Sequence, residues 1–272
     1  MRGERLEDLL QRSLMFLYLG ILILLPIAAI TVASFQHGIA SLWSNITSVQ
    51  ALFALRLTLQ TALIMVNINV VMGTLTAYVL VRYEFPGKKI MNALIDLPFA
   101  IPTVVTGILL VILYGPNSTL GTLLSGFGID IIFDKAGIIL ALLFVTYPFV
   151  VRSVQPLLMD MNLDTEDAAR TMGASRLRIF FRVTLPTLMP AILTGAALSF
   201  SRAMGEFGSI VVVAGNIPLK SQVASVYIYG ELESNNPQGA MGLSVVLLLI
   251  SFMVLLALNF LQRWNRHEGS AH

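Results

Sequence analysis

Cysteine is absent from this chain, and histidine occurs only three times among 272 residues. The first absence excludes a disulfide framework, a thiolate metal site and a cysteine nucleophile. His37, His267 and His272 are too scattered to assemble a ligand set, so loop or tail roles are expected, with no metal site. Charge is also scarce: 12% of residues are Asp, Glu, Lys or Arg, against 56% apolar. The mean hydropathy is +0.82. A soluble domain needs more charge than this, so the class is an integral membrane protein, with no nucleic-acid partner expected. A phosphate-cradling G-x-x-x-x-G-K-[ST] loop is missing too. "GASRLRIF" lacks the lysine and "EFPGKK" lacks the spacing. No zinc-protease motif, serine elbow or histidine–carboxylate cluster is present, so no catalytic residue is expected. No ATP hydrolysis is therefore expected in this chain.

What the chain has in quantity is apolar runs. Six are long enough to cross a bilayer as helices at about 1.5 Å per residue. They cover residues 13–35, 54–81, 91–114, 136–156, 188–213 and 240–262, in one all-α membrane domain over residues 1–272. The first run exceeds the apolar core of a signal peptide, so no cleavable leader is expected. Arg2, Arg5 and Arg12 precede the first span, and Arg82, Lys88 and Lys89 separate the second from the third. Arg152, Arg170, Arg176, Arg178 and Arg182 surround the loop at 157–187, and Arg263 and Arg266 follow the last span. The other loops hold only Lys135 and Lys220, while Arg56 and Arg202 fall at or within spans. The positive-inside rule then makes both termini and the 157–187 loop cytoplasmic. Trp43 and Trp264 fall near expected interfaces. The outer stretch 115–135 is rich in glycine and serine and reads as mobile or loosely helical; the stretch 214–239 has room for an amphipathic or re-entrant piece.

The basic loop contains "DAARTMGASRLRIFFRVTLP", Asp167 to Pro186. Asp164 is suited to cap a helix, with Asp167 three residues on. Ala168, Ala169 and Met172 make a small-sided face, and Gly173 suits the left-handed conformation that ends a helix. Ser175 caps a second helix with an apolar stripe of Ile179, Phe180 and Val183; Pro186 is expected to stop it and Pro190 to begin the next span. The result is a helical hairpin with a face that a partner's backbone can approach. Charge alone would also suit a juxtamembrane basic segment on anionic lipid.

This loop resembles the Glu-Ala-Ala motif of binding-protein-dependent ABC importer permeases. Asp167, Ala168, Ala169, Gly173, Val183, Leu185 and Pro186 stand at the motif positions with its spacing intact, Asp replacing Glu and Val replacing Ile. The resemblance implies that the hairpin seats in a cleft of a separate ATP-hydrolysing subunit. The shorter Asp167 side chain changes the reach of any contact made there.

Charges and prolines inside the spans point to a path. Arg202 and Glu206, in "SFSRAMGEFGSIVVVAGNIP", are an i,i+4 pair at membrane depth, where each charge costs at least about 2.5–3.5 kcal/mol and needs a partner. One reading is a self-neutralising structural pair; the other is that Arg202 lines an anion path at mid-span, held by Glu206. Gly195, Ser199, Ala203, Gly205 and Gly208 supply small surfaces for close helix approach. In "IDLPFAIPTVVTG", Pro98 and Pro102 each bend the third span, and Thr103 and Thr106 either satisfy freed carbonyls or line the path. Asp96 is expected to pair with Arg82 or Lys88. Tyr147-Pro148 marks a kink in the fourth span.

The segments "LPFAIPTVVTG", "YPFVVRSVQP", "SFSRAMGEFGSIVVVAGNIP" and "IYGELESNNPQGA" resemble the sulfate/thiosulfate permeases of the CysT type, from about residue 50 onward. That resemblance implies a type I ABC importer fold and a homologous permease partner forming a heterodimer. It further implies two ATP-binding subunits carrying ATP and Mg, an external sulfate-binding protein, and the plasma membrane of a prokaryote or an equivalent organelle membrane. No cofactor is expected in this chain. The "GEFG…AGNIP" segment is shared with molybdate permeases, so a molybdate or tungstate permease is an alternative. An ion-coupled secondary anion transporter is a second, for which inverted repeats and discontinuous helices would be expected.

Overall fold

Lipid offers no partner to an unpaired amide, so a chain this apolar must satisfy its backbone internally. The computed structural model describes residues 2–36 and 38–268, with side chains described for residues 9–36, 38–257 and 260. His37 and His272 lie outside the described residues, as do the side chains of Arg2, Arg5, Arg263, Trp264, Arg266 and His267. The described residues form helices and contain no strand. In order they are α1 (Leu9–Phe35), α2 (Ile39–Ile46), α3 (Val49–Arg82), α4 (Lys88–Ala100), α5 (Thr103–Tyr114), α6 (Thr119–Gly126) and α7 (Lys135–Asp160). They continue with α8 (Asp164–Thr171), α9 (Arg176–Met204), α10 (Gly208–Ala214), α11 (Ala224–Glu233) and α12 (Pro237–Glu268). The stretches at 115–135 and 214–239 thus each contain a helix, α6 and α11.

Among the described residues five helices, α1, α3, α7, α9 and α12, are long and apolar enough to cross a membrane whole. A sixth candidate is the pair α4 and α5, bent by 113° at their junction. Of the two prolines expected to bend it, only Pro102 marks the break. A proline pushes the residue before it out of the helical region, and Ile101 is extended at φ −87°, ψ 128°. Pro98 is accommodated inside α4. The pair still runs from one end of the bundle to the other. Ile95 packs with Val151, Val154 and Leu158 at the end of α7, whereas Leu110 packs with Ala141 near its start and Val213.

Pro186 does not stop a helix, and Pro190 does not begin one. The helix from Arg176 continues through both to Met204. A π turn over Phe180–Thr184 makes this possible, closed by Leu185 N–H donating to the Phe180 carbonyl. The wider turn relieves the clash a proline ring makes with the carbonyl four residues back. The same device precedes Pro26 in α1, where Leu25 N–H donates to the Gly20 carbonyl.

α3, α7 and α9 form the centre. They cross at Val150, which is wholly buried. A methyl group on Gly73 would stand 2.8 Å from the Val150 side chain, and one on Gly195 would stand 2.7 Å from Val150 Cα. Small residues at such crossings let backbones approach and gain dispersion contacts, which replace the missing hydrophobic drive in lipid. Two apolar clusters fill the bundle, and Val150 belongs to the first. One, with Leu80, Ile95, Leu158 and Leu188, is at the end carrying Arg82 and Lys88; the other, with Leu57, Ile138, Phe200, Ala203 and Ile210, is at the opposite end. By contrast α1 lies against α12 and α2, and its apolar window has no buried residue.

Candidate functional site

The hairpin at the basic end is built from the short α8 and the first turns of α9, joined at Gly173. Its cap differs from the one expected: Asn162, not Asp164, supplies the side-chain acceptor, taking the Asp164 N–H at 3.0 Å. Gly173 adopts φ +80°. Its N–H donates to the Arg170 carbonyl and that of Ala174 to the Ala169 carbonyl, the paired bonds of a left-handed helix stop. Ser175 caps the second helix, accepting from Arg178 N–H at 3.4 Å. Asp167 and Ala168 are exposed and Ala169 is half-buried; Asp167 pairs with Arg170 at 2.7 Å. Val183 and Leu185 are half-buried and Pro186 is exposed on α9. Met172 is 87% exposed, and Leu177 and Phe181 are exposed beside it.

The residue that ties this hairpin to the bundle is Glu166, which the motif does not mark. Its side chain is only 8% exposed and pairs with Arg82 at 2.9 Å. The same oxygen accepts from Thr184 Oγ1 at 2.9 Å. One carboxylate therefore joins the end of α3, the hairpin and the π turn of α9. "TEDAAR" holds two adjacent carboxylates, and nothing local says which turns inward; only the position of Arg82 decides it. A cavity of about 620 Å³ opens here, lined among others by Tyr78, Arg82, Glu166, Arg170 and Arg176.

Asp96 takes neither expected partner. It binds Arg152 through two hydrogen bonds, 2.7 Å to Nε and 2.6 Å to Nη2. Arg152 also donates to Asn92 Oδ1, to the Asn92 carbonyl and to Gln155. Arg82 is taken by Glu166, and Lys88 by Glu84 at 2.7 Å. The fan of contacts from Arg152 fastens α4 to α7, which stays helical through Pro148.

At the opposite end the fifth span is discontinuous. α9 stops at Met204, and Gly205, Glu206 and Phe207 are non-helical before α10 begins. Arg202 is therefore in the last turn of α9, about 25 Å along from Leu185 at 1.5 Å per residue, and not at mid-span. Its Nη1 lies 2.6 Å from Glu206 Oε2; the Arg side chain is 34% exposed and the Glu side chain 1%. The other oxygen of Glu206 accepts from Ser209 N–H at 2.9 Å and Ser209 Oγ at 2.8 Å. Its carbonyl accepts from Ser225 Oγ at 2.6 Å. The cation thus ends one helix and the carboxylate opens the next, as the helix dipole favours. Ser209, which the sequence reading passed over, holds the carboxylate in place.

The two breaks meet. A methyl on Gly208 would strike Thr103 Oγ1, and one on Gly107 would stand 2.7 Å from the Ser209 carbonyl. α5 and α10 are consequently packed backbone to backbone, with Pro102 and Thr103 beside the turn that carries Glu206. Ser199 and Ala203 are buried, but Gly205 touches nothing within 4 Å of an added methyl and serves the turn, not the packing. Pro98 lies apart, lining a cavity of about 590 Å³ with Met91, Leu94, Leu109, Leu113 and Phe144. No charged side chain lines that cavity, although the buried Thr106 Oγ1, which borders it, has no partner.

A sequence model of the family described as binding-protein-dependent transport system inner membrane component matches residues 69–267. The chain is 46% identical over 254 residues to a probable sulfate transport system permease protein cysT of Nephroselmis olivacea, covering 93% of this chain and 89% of that one. It is 40% identical over 246 residues to the sulfate transport system permease protein CysT of Salmonella typhimurium, covering 90% and 89%. Its fold is similar to a chain of a bacterial alginate ABC transporter in complex with an alginate pentasaccharide-bound periplasmic protein, with a TM-score of 0.78, 20% identity, and coverage of 96% and 95%. A methionine ABC transporter is similar at a TM-score of 0.58, 18% identity, and coverage of 78% and 94%. With broken and unbroken spans around one glycine-lined crossing and a helical hairpin at the basic end, the chain belongs to the binding-protein-dependent transport system inner membrane components, among the CysT-type permeases.

Proposed function

We propose that this chain is the membrane-spanning subunit of an ATP-driven importer that carries sulfate or thiosulfate, delivered by an external binding protein. The observation that carries this reading is the identity of 40–46% to CysT-type permeases over about nine-tenths of the chain. The hairpin at the basic end supports it: Met172, Leu177 and Phe181 stand out from a stiff, glycine-stopped turn, a shape suited to a cleft in an ATPase subunit. In this reading the basic end is cytoplasmic. Asp167, Ala168, Ala169, Gly173, Val183, Leu185 and Pro186 belong to the coupling element, and Glu166 transmits its movement to α3. ATP and Mg reside in two partner subunits, and this chain holds no cofactor. The second permease is a homologue, and the unburied α1 leaves an apolar helix for lipid or for that partner. The membrane is the plasma membrane of a prokaryote or its equivalent in an organelle.

Arg202 offers the anion its free guanidinium nitrogens while Glu206 prevents a lasting hold, and the meeting of the two broken spans supplies a hinge. Discontinuous helices are present after all, so their absence no longer argues against an ion-coupled transporter; the hairpin and the family do. The test is radiolabelled sulfate uptake by cells lacking their own importer and supplied with the whole system, with excess molybdate as competitor. ATP-dependent uptake that resists molybdate is the expected result. Accumulation of molybdate without sulfate would overturn the substrate.

A further inference from the structure

Arg56 and Lys135 are two cations for which the packing has no use. Both are exposed, and neither has an ion-pair partner among the described residues. Both line one cavity of about 250 Å³, with Phe53, Leu57 and Gln60 completing its wall. Lys135 is the first residue of α7, where the positive end of the helix dipole disfavours a cation. The neighbouring carboxylate, Asp134, is turned to the helix start, accepting the Lys135 backbone N–H at 2.7 Å. Neither capping nor pairing therefore accounts for the ammonium.

The place is informative. α3 has 34 residues, about 51 Å of helix, against a hydrocarbon core of about 30 Å. Counted back from Arg82, that thickness is used up near residue 62, at roughly 20 residues. Arg56 and Gln60, one turn apart on the same face with Phe53, stand beyond it at the far mouth of the bundle. This mouth is not remote from Arg202. Leu57, Ile138 and Ala203, each within three residues of one of the three cations, belong to a single buried cluster.

We infer that Arg56, Lys135 and Gln60 form a receiving site for a tetrahedral oxyanion at the far mouth, a brief stop before Arg202; this rests on the proposed oxyanion permease. A guanidinium offers two parallel donors to two anion oxygens, the ammonium a mobile point charge and the amide a further donor. The cavity has room for a partly hydrated anion. Water reaches both cations, which keeps the hold weak enough for onward release, while their field raises the local concentration of a dianion.

The test uses the complete transporter in proteoliposomes, as wild type, as Arg56→Gln/Lys135→Gln and as Arg56→Lys. Two quantities are read: anion taken up per ATP hydrolysed, and the binding-protein concentration that half-saturates ATP hydrolysis. The labelled anion is whichever one the wild type accumulates. The double variant is expected to lose uptake per ATP by roughly fivefold, the scale of two exposed charge contacts, with half-saturation little changed. Arg56→Lys is expected to keep most of the uptake. Unchanged uptake per ATP in the double variant overturns the inference while leaving the permease reading intact. A rise in half-saturation that matches the loss also overturns it and gives the cavity to a carboxylate of the docking protein. A wild type that accumulates no oxyanion overturns the permease reading and this site together.

Discussion

Two arginine–glutamate pairs stand at the two ends of this bundle, and they are built for different work. Glu166 and Arg82 are 84 residues apart in sequence; the pair is nearly enclosed, and the same carboxylate oxygen also takes a hydroxyl from α9. Glu206 and Arg202 are one turn apart, the glutamate enclosed and the arginine a third exposed. The first pair ties together three elements that would otherwise part. The second is local, closing a break within one span and leaving most of its guanidinium free. Burial of the acid is common to both, so burial does not tell them apart; sequence distance and the freedom of the base do.

The comparison breaks most sharply at Glu166. In Glu166→Ala, Arg82 is left without its counter-ion in an enclosed site whose Nε already lacks a partner. Removing one member of a buried pair costs about 3–5 kcal/mol. The expected outcome is loss of ATPase co-purification and of transport, measured by pull-down and uptake. Survival of both would show that the hairpin does not depend on this clasp. Next in size is Gly173→Pro. Proline holds φ near −65° and lacks the N–H that Gly173 donates to Arg170, so the turn at φ +80° cannot form. ATPase docking is expected to disappear while membrane insertion persists. Normal co-purification would remove the hairpin from the coupling role. A bulky charge at the half-buried Ala169 should act in the same direction, more weakly.

What the sequence reveals follows a physical line. Crossings are legible because each is an apolar run of adequate length, and the hairpin is legible because Gly173 and Ser175 act on their own neighbours. The partners of Asp96 and Arg82 are not legible, because they depend on how α4, α7 and α8 pack, and several bases lie within plausible reach. Proline is read only in part. Pro102 breaks a span and Pro186 does not, since a π turn over Phe180–Thr184, just before it, makes room for the second ring. The break at Gly205 escapes notice because "SRAMGEFG" carries helix-compatible residues between two glycines. There the carboxylate of Glu206, capping α10, starts a new helix where spacing alone suggests an unbroken one.

At the far end the effects on assembly are smaller. In Arg202→Ala, Glu206 loses its counter-ion in an enclosed site but keeps both donors from Ser209, so assembly is expected to fall only in part. Transport is expected to fall further than assembly, because the free guanidinium nitrogens go with the side chain. Should Arg202→Ala fail to accumulate, and Arg202→Ala/Glu206→Ala recover, the pair is structural like the one at the basic end.

The smallest effect is expected at Ser209. Ser209→Ala removes the hydroxyl but leaves the backbone N–H on Glu206, a loss of about 1 kcal/mol by the usual worth of one hydrogen bond. Because the carboxylate is 1% exposed, water cannot replace that donor freely. Glu206 should then lean more on Arg202, drawing the guanidinium inward and away from an anion. Expression is expected near normal, with the anion taken up per ATP hydrolysed by the complete transporter in proteoliposomes lowered a few-fold and the maximal rate of ATP hydrolysis little changed. A fall in maximal rate instead would mean that Ser209 serves the hinge between α9 and α10, and that the local pair moves with the span and not with the anion.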